Sequence, residues 1–198
     1  MNNSTSNVGL ASLLALSLSA TALADNNLEQ RHQAAMETTQ SFVQQLGKAM
    51  KGAMKSGGPE AAIKVCSERA PVMTGEISRS KGWKVTRVGT RVRNPMLGMP
   101  DIWEQKVLTQ FQARLDEGEA LLQMSHAELV TEPDGQYFRF MKAIGVKPQC
   151  LVCHGSDSDI PQAVQAVLRE RYPHDKARDY KVGDLRGAVS IKQPIKRM

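Results

Sequence analysis

Residues 147–155, "KPQCLVCHG", constrain this chain more than any other stretch, because Cys150 and Cys153 are followed directly by His154. The pattern Cys-x-x-Cys-His is the attachment signature of a c-type haem. Two thiols at this spacing can each add to a vinyl group of the porphyrin, which fixes the ring against a short turn of backbone. The adjacent imidazole can then bind the iron as the proximal ligand. The pattern therefore predicts one covalent haem c per chain.

Other uses of the two cysteines explain less of the pattern. A zinc site usually needs a second pair of ligands, and the remaining histidines, His32, His126 and His174, are isolated. A thioredoxin-like pair would open a helix in a βαβ unit. A disulfide suits an oxidising compartment but gives His154 no role. Haem attachment is the favoured interpretation.

The first 24 residues have the properties of a signal peptide. They contain no Lys, Arg, Asp or Glu, their apolar run spans residues 8–20, and they end in a small-x-small site at Ala22-Leu23-Ala24. An uncleaved membrane anchor is the alternative, although the apolar run is short for a bilayer span. We expect export to a bacterial periplasm, a single domain over residues 25–198, and no stable membrane span after cleavage. Export also favours haem c, because covalent attachment follows transport.

The length and charge of the chain argue for one domain that does not bind nucleic acid. A chain of 198 residues can form one domain with a sizeable core. The formal net charge is +6, but the basic residues are scattered among acidic ones without a run of five like charges. Nucleic acid is therefore not an expected partner.

Hydrophobic periodicity predicts an α+β fold with an antiparallel sheet. Helices are expected over residues 28–55, 59–70, 101–117 and 159–171. Gly57-Gly58 should separate the first two helices, and Pro71 should close or kink the second. An Asp101–Glu104 capping box should begin the third helix, and Asp159 should cap the fourth. Strands are expected over residues 83–92, with a bulge near Arg87, and over 120–131, 136–144 and 185–195. Residues 93–101 and 172–184 are expected to be loops, and "EPDG" a turn. Strands joined by hairpins rather than βαβ units favour an antiparallel sheet with flanking helices.

Cys66 lies more than eighty residues before the motif and leaves two interpretations open. It could be a small buried hydrophobe on a helix. It could instead be the sixth, distal iron ligand, and an anionic thiolate would favour ferric iron and lower the reduction potential. A methionine ligand would raise the potential. The rival ligands are Met96, Met99, Met124, Met141, His126 and His174.

Three arginines are candidate partners of the haem propionates. Arg87, Arg91 and Arg93 follow each other at intervals that strand alternation would place on one face. Guanidinium groups bind carboxylates through forked donors. The alternative is an ordinary solvated basic face.

Several stretches together resemble a known family: "VCSERAP", "TRVGTRVRNPMLGMPDIWE", "YFRFMKAIGVKPQCLVCHG" and "YPHDKARDYKVGDLRGAVSI". They are similar to the single-haem c-type cytochromes with a PAS-like fold, found as exported proteins and as extracytoplasmic sensor parts of bacterial histidine kinases. The resemblance covers about residues 30–193. It implies a PAS-like sheet, Cys66 as a distal thiolate ligand, and Arg93-Asn94-Pro95 near the haem. Met96 and Met99 depart from the family pattern and leave open a methionine ligand or a ligand switch on reduction.

The resemblance implies either sensing or electron transfer. A sensor would respond to redox state or a small gas such as CO or NO and act through an unknown signalling partner. A periplasmic carrier would use its +6 charge to dock an acidic redox partner. A haem enzyme such as a peroxidase would need distal acid–base groups, and only His126 is a candidate. We therefore expect a non-enzymatic haem protein that senses redox state or gas, with electron transfer as the alternative.

Overall fold

The computed structural model describes the backbone of residues 12–197 and the side chains of residues 27–195. The helices are α1 (Ser12–Lys64), α2 (Ala70–Lys81), α3 (Pro95–Gly98), α4 (Ile102–Asp116), α5 (Leu151–His154) and α6 (Gln162–Arg171). The strands are β1 (Lys84–Gly89), β2 (Ser125–Glu132), β3 (Gly135–Gly145) and β4 (Leu185–Arg197). A π-helical turn spans Val65–Arg69, and a 3-10 turn spans Pro148–Cys150. Residues 1–11 of the predicted signal peptide lie outside the described residues, and the backbone of residues 12–24 belongs to α1.

The long N-terminal helical segment is longer than the sequence predicts. The predicted break is confirmed, because Gly57 and Gly58 leave helical geometry inside α1. The prediction that Pro71 closes or kinks a helix over 59–70 is wrong in its end point, since the chain continues through the π turn into α2. Pro71 has no N–H for an ordinary helical bond. A wider turn precedes it, in which the N–H of Ala70 donates to the carbonyl of Val65.

The predicted α+β, PAS-like fold is confirmed, with one antiparallel sheet in the order β1-β4-β3-β2. The predicted bulge near Arg87 is wrong, because β1 pairs with β4 in continuous register from Lys84↔Lys192 to Gly89↔Gly187. Register shifts occur instead between β3 and β4. β1 also ends at Gly89 rather than continuing to residue 92. This early end changes where the arginines after β1 lie.

Both faces of the sheet are covered. Phe138 and Phe140 of β3 are buried with Phe42 of α1 in one core. Met141 alternates to the opposite face and is buried with Phe111 of α4 in a second core. The sheet therefore separates two cores, as its alternating pattern of apolar residues requires.

Helix caps confirm one sequence prediction and correct another. Asp101 and Glu104 form the predicted capping box at the start of α4. The prediction that Asp159 caps α6 is wrong, because α6 begins at Gln162 and Pro161 occupies the cap position. Asp159 instead accepts hydrogen bonds from the backbone and hydroxyl of Ser156. Its carboxylate therefore stabilises the turn that follows the Cys-x-x-Cys-His motif.

The loops largely follow the sequence predictions. Residues 172–184 are irregular apart from short turns. The loop over residues 93–101 contains one extra feature, the single turn of α3, whose N-cap is Asn94. Within the described residues, no helix has the combination of length and apolar character needed to cross a membrane.

Candidate functional site

The Cys-x-x-Cys-His motif forms a compact turn directly after β3. Cys150 ends the 3-10 turn, and Cys153 and His154 belong to α5. Cys150 lies three residues before Cys153 and four before His154, and side chains at these two spacings are neighbours on a helical turn. The turn closes tightly at Gly155, where a Cβ atom would approach Asp159 Oδ2 to 2.6 Å. All three cysteines of the chain are free thiols, and each is partly buried.

His154 is held as a neutral imidazole with one nitrogen available. Its Nδ1 atom lies 2.8 Å from the carbonyl oxygen of Ala177. A carbonyl can only accept a hydrogen bond, so Nδ1 carries the proton and Nε2 keeps its lone pair. Burial, together with the charges of Arg93 and Arg186, lowers the pKa of His154 to about 2. This neutral tautomer is the form that binds a metal.

Arg93 fastens the motif to the irregular loop over residues 172–184. Its guanidinium donates to the carbonyl oxygen of Cys153, and to that of Ala177 at 3.2 Å. It also forms a buried ion pair of 3.1 Å with Asp175. Arg93 therefore positions the backbone on both sides of His154.

The prediction that Arg87, Arg91 and Arg93 share one strand face is wrong. Only Arg87 belongs to β1, because the strand ends at Gly89. Arg87 lies opposite Val189 in the β1–β4 register and 6.0 Å from the ring of Phe42, which places it on the α1 face. Arg91 stacks over the ring of Tyr180 at 3.8 Å and lies 3.7 Å from Asp184.

Cys66 lies on the π turn. About one helical turn earlier, Ile63 is buried in a core cluster with Leu168 and Tyr172, and Cys153 packs against the same cluster. The pKa of the Cys153 thiol is raised, mainly by burial, and the charge of Cys66 is near enough to contribute. The charge of Cys66 therefore acts on the motif, and its role as an iron ligand stays a prediction.

Met50, which is not among the rival ligands expected from the sequence, lies beside Cys66. The sulfur of Met50, on α1, is 3.8 Å from the sulfur of Cys66. Met50 and Cys66 lie on opposite sides of the break at Gly57-Gly58 inside α1. The position of Met50 could therefore not be derived from periodicity within one helix.

The rival ligands named from the sequence lie elsewhere. Met96 and Met99 are exposed to 89% and 60%. Met124 and Met141 are fully buried in the core under α4. His126 packs against Trp103 at 5.8 Å, and His174 is exposed on the loop. Cys66 differs from these side chains, because its charge acts on the thiol of Cys153.

Comparison with known proteins identifies the family. The model of a family described as Tll0287-like matches residues 19–194. The chain belongs to the Tll0287-like family. The family predicted from the sequence, single-haem cytochromes with a PAS-like fold, is supported by this match and by the fold.

One solved structure shares the fold of this Tll0287-like chain. It is described as the crystal structure of the cyanobacterial heme-protein Tll0287. The two align with a TM-score of 0.60 and 23% sequence identity, over 83% of this chain and 98% of the other. No curated protein matches the chain.

Two further residues of the site were missed by the sequence analysis. Arg186 acts on His154 electrostatically, and Tyr180 packs edge-on against the His154 ring at 6.2 Å. Both occur in the stretch "YKVGDLRGAVS", which supported the family resemblance but has no periodic pattern that singles them out. Among residues 27–195, no three His, Cys, Asp or Glu side chains converge to hold a bare metal ion.

Proposed function

We propose that this protein is an exported monohaem c-type cytochrome that senses redox state or a small gas in the bacterial periplasm. One haem would be attached through Cys150 and Cys153, with His154 as the proximal ligand and Cys66 as the distal ligand. The observation that carries this proposal is that Cys66 lies close enough to Cys153 for its charge to act on that thiol, next to a neutral His154. Two thiols, an imidazole and a third thiol form a donor set that suits an attached iron porphyrin.

His154 supports the proposal because its ring needs no rearrangement to act as a ligand. The bond from Nδ1 to Ala177 fixes both the tautomer and the ring orientation. Partly buried thiols at Cys150 and Cys153, with the pKa of Cys153 raised, suit a permanent linkage better than exchange with other thiols, which requires exposed thiolates. When bound, the haem supplies one-electron redox chemistry and, if the distal ligand leaves, an open iron site for a gas.

The position of Cys66 supports sensing over simple transfer. A thiolate stabilises ferric iron, and it becomes a poorer ligand on reduction, when protonation to the thiol competes with binding. Cys66 lies on the π turn that joins α1 to α2, an irregular element of the kind often found at functional sites. Release of Cys66 would let this turn relax and change the packing of α1, to which an unknown signalling partner could respond.

Electron transfer is the second candidate, favoured by one surface feature. Met96, Leu97, Met99 and Ile102 are exposed next to each other around α3 and the start of α4. We call these four residues the apolar patch. An apolar patch on a protein of net charge +6 suits transient docking of an acidic redox partner.

The experiment compares absorption and EPR spectra of wild type, Cys66→Ser and Met50→Leu, each matured with haem. A low-spin ferric thiolate signal in wild type and Met50→Leu, lost in Cys66→Ser, is expected. An unchanged spectrum in Cys66→Ser would remove Cys66 from the iron. A signal that disappears in Met50→Leu alone would assign the distal position to the neighbouring thioether instead.

The same proteins separate sensing from electron transfer. Reduced wild type should bind CO or NO readily if Cys66 leaves the iron, as a sensor requires. A haem iron that stays six-coordinate in both oxidation states and does not bind CO would support the carrier function. Substitution of Met99 and Ile102 by Ser should slow electron exchange with an acidic redox protein only in that second case.

A further inference from the structure

Arg186 and Arg87 differ from the neighbouring Arg91 and Arg93 in their acidic partners. Arg91 and Arg93 have acidic partners in Asp184 and Asp175. Among the described residues, no carboxylate oxygen lies within 4.0 Å of a side-chain nitrogen of Arg186 or Arg87. Arg186 is half-buried, and its guanidinium donates to the carbonyl oxygen of Arg91 at 3.1 Å. A partly buried cation without a counter-ion is unfavourable unless an anion completes the site.

The backbone around Arg186 is shaped to seat this guanidinium. Gly89 of β1 pairs with Gly187 of β4. A Cβ atom on Gly89 would lie 2.7 Å from Nη1 of Arg186. Gly187 has a φ of 147°, and a Cβ atom there would lie 2.0 Å from the carbonyl oxygen of Val88. Two facing glycines thus bring the strands close together and leave room for the Arg186 head group.

Two neighbouring cations act on Arg186. Burial lowers the pKa of Arg186, and the nearby charges of Arg93 and Arg87 lower it further, against the opposite influence of Tyr180. Arg186 and Arg87 also both act electrostatically on His154. The two unpaired cations therefore lie near the proposed proximal ligand, where an anionic group of the cofactor would be attracted.

We infer that Arg186 and Arg87 form a carboxylate-binding pair that receives the propionates of the haem attached at Cys150 and Cys153. This inference rests on the proposed function. It replaces the assignment of the propionates to Arg91 and Arg93, because Arg93 is paired with Asp175 and bound to the motif backbone, and Arg91 is paired with Asp184.

The pair has two electrostatic consequences for the haem. Positive charge near the iron favours the ferrous state, so loss of either arginine should move the reduction potential to a more negative value. An unpaired propionate is also easier to protonate, so its pKa should rise towards neutrality. The potential of the variants should then depend on pH across the neutral range more strongly than the potential of the wild type.

The test is redox titration of haem-loaded Arg186→Gln and Arg87→Gln at several pH values. Arg114→Gln is the matched control, because Arg114 pairs with Glu119 at the end of α4 and changes the net charge equally. Both test variants should retain covalent haem on a denaturing gel, with more negative and more pH-dependent potentials than the control. Arg186→Lys keeps the charge and should restore most of the potential.

Three results would overturn the inference. Potentials of Arg186→Gln and Arg87→Gln that match Arg114→Gln at every pH would show that neither arginine binds a propionate. A wild-type potential that moves on addition of acetate would show that the pair binds free carboxylates instead. Arg186→Lys that behaves like Arg186→Gln, with intact folding by circular dichroism, would attribute the shift to packing. Absence of covalent haem in wild type is a separate result, which contradicts the proposed function itself.

Discussion

Ala177 accepts a hydrogen bond from Nδ1 of His154 at 2.8 Å, and this single contact fixes which nitrogen of the ring is available. Ala177 lies in the irregular loop over residues 172–184, more than twenty residues after the motif. The loop is in turn held by Arg93, which donates to the same carbonyl oxygen at 3.2 Å. Orientation of the proposed iron ligand therefore depends on an arginine that precedes the motif by about sixty residues.

Substitution of Arg93 should destabilise the protein and the site together. Arg93→Gln would leave the buried Asp175 only its longer, 3.7 Å ion pair with Arg178, so we expect a loss of about 3 kcal/mol, the low end for breaking a buried pair. Arg171→Gln is the control, since its pair with Glu68 is exposed and should contribute less than about 1 kcal/mol. Urea unfolding of both variants measures the difference. Equal losses of unfolding free energy in Arg93→Gln and Arg171→Gln would contradict the positioning role given to Arg93.

Gly187 should tolerate no side chain. Gly187→Ala combines a positive φ of 147° with a Cβ atom 2.0 Å from a backbone oxygen, so we expect a loss of at least about 3 kcal/mol. Gly183→Ala has a positive φ of 93° but no atom within 4 Å of the added carbon, so it should lose only about 1 kcal/mol. Denaturant unfolding tests both, and a Gly187→Ala loss no larger than that of Gly183→Ala would show that β1 and β4 are not closely paired.

Asp101 should contribute stability that depends on pH. Burial raises the pKa of its carboxyl, but hydrogen bonds from Arg139 and the Glu104 backbone outweigh it, and the net pKa is lowered. A lowered folded pKa means that the stabilisation is present above the unfolded value of about 4 and is lost as pH falls through the folded value.

Asp101→Asn isolates this charge, because asparagine is also a good N-cap. The Asp101 side chain is 41% exposed, so screening limits the expected loss at neutral pH to about 1 kcal/mol. The difference in unfolding free energy between wild type and variant should disappear at acidic pH. A difference of constant size at all pH values would contradict the assignment of the stabilisation to the carboxylate.

Met96 and Met99 should not bind the iron. Both side chains lie on the surface, at 89% and 60% exposure, whereas Cys66 is partly buried and its charge acts on Cys153. Met96→Ala and Met99→Ala should therefore leave the absorption and EPR spectra unchanged in both oxidation states. Loss of a low-spin signal in either variant would show that the loop over residues 93–101 folds onto the haem.

Features coded by local pattern were predictable from the sequence. The Cys-x-x-Cys-His spacing, the capping box at Asp101 and the break at Gly57-Gly58 each depend on residues a few positions apart. The continuation past Pro71 was not predictable, because a π turn accommodates the proline without ending the helical path. A proline in the sequence therefore indicates where a regular helix is interrupted, but it does not predict that a π turn continues the helical path.

Features that depend on distant pairing were missed or misplaced. The end of β1 at Gly89 is set by pairing with Gly187, about a hundred residues later, and the arginines beyond it lose strand alternation. Arg186 and Ala177 reach the site through an irregular loop and a strand start, which carry no periodic signal. The electrostatic part of the site is therefore a product of tertiary structure.

The most direct measurement is the intact mass of protein purified from the periplasm of a host that matures c-type cytochromes. We predict the mass of the polypeptide from Asp25 onwards plus one haem, retained under denaturing conditions. The variant that carries both Cys150→Ala and Cys153→Ala should lack the added mass. A wild-type mass equal to that of the polypeptide alone, in colourless protein, would contradict the account.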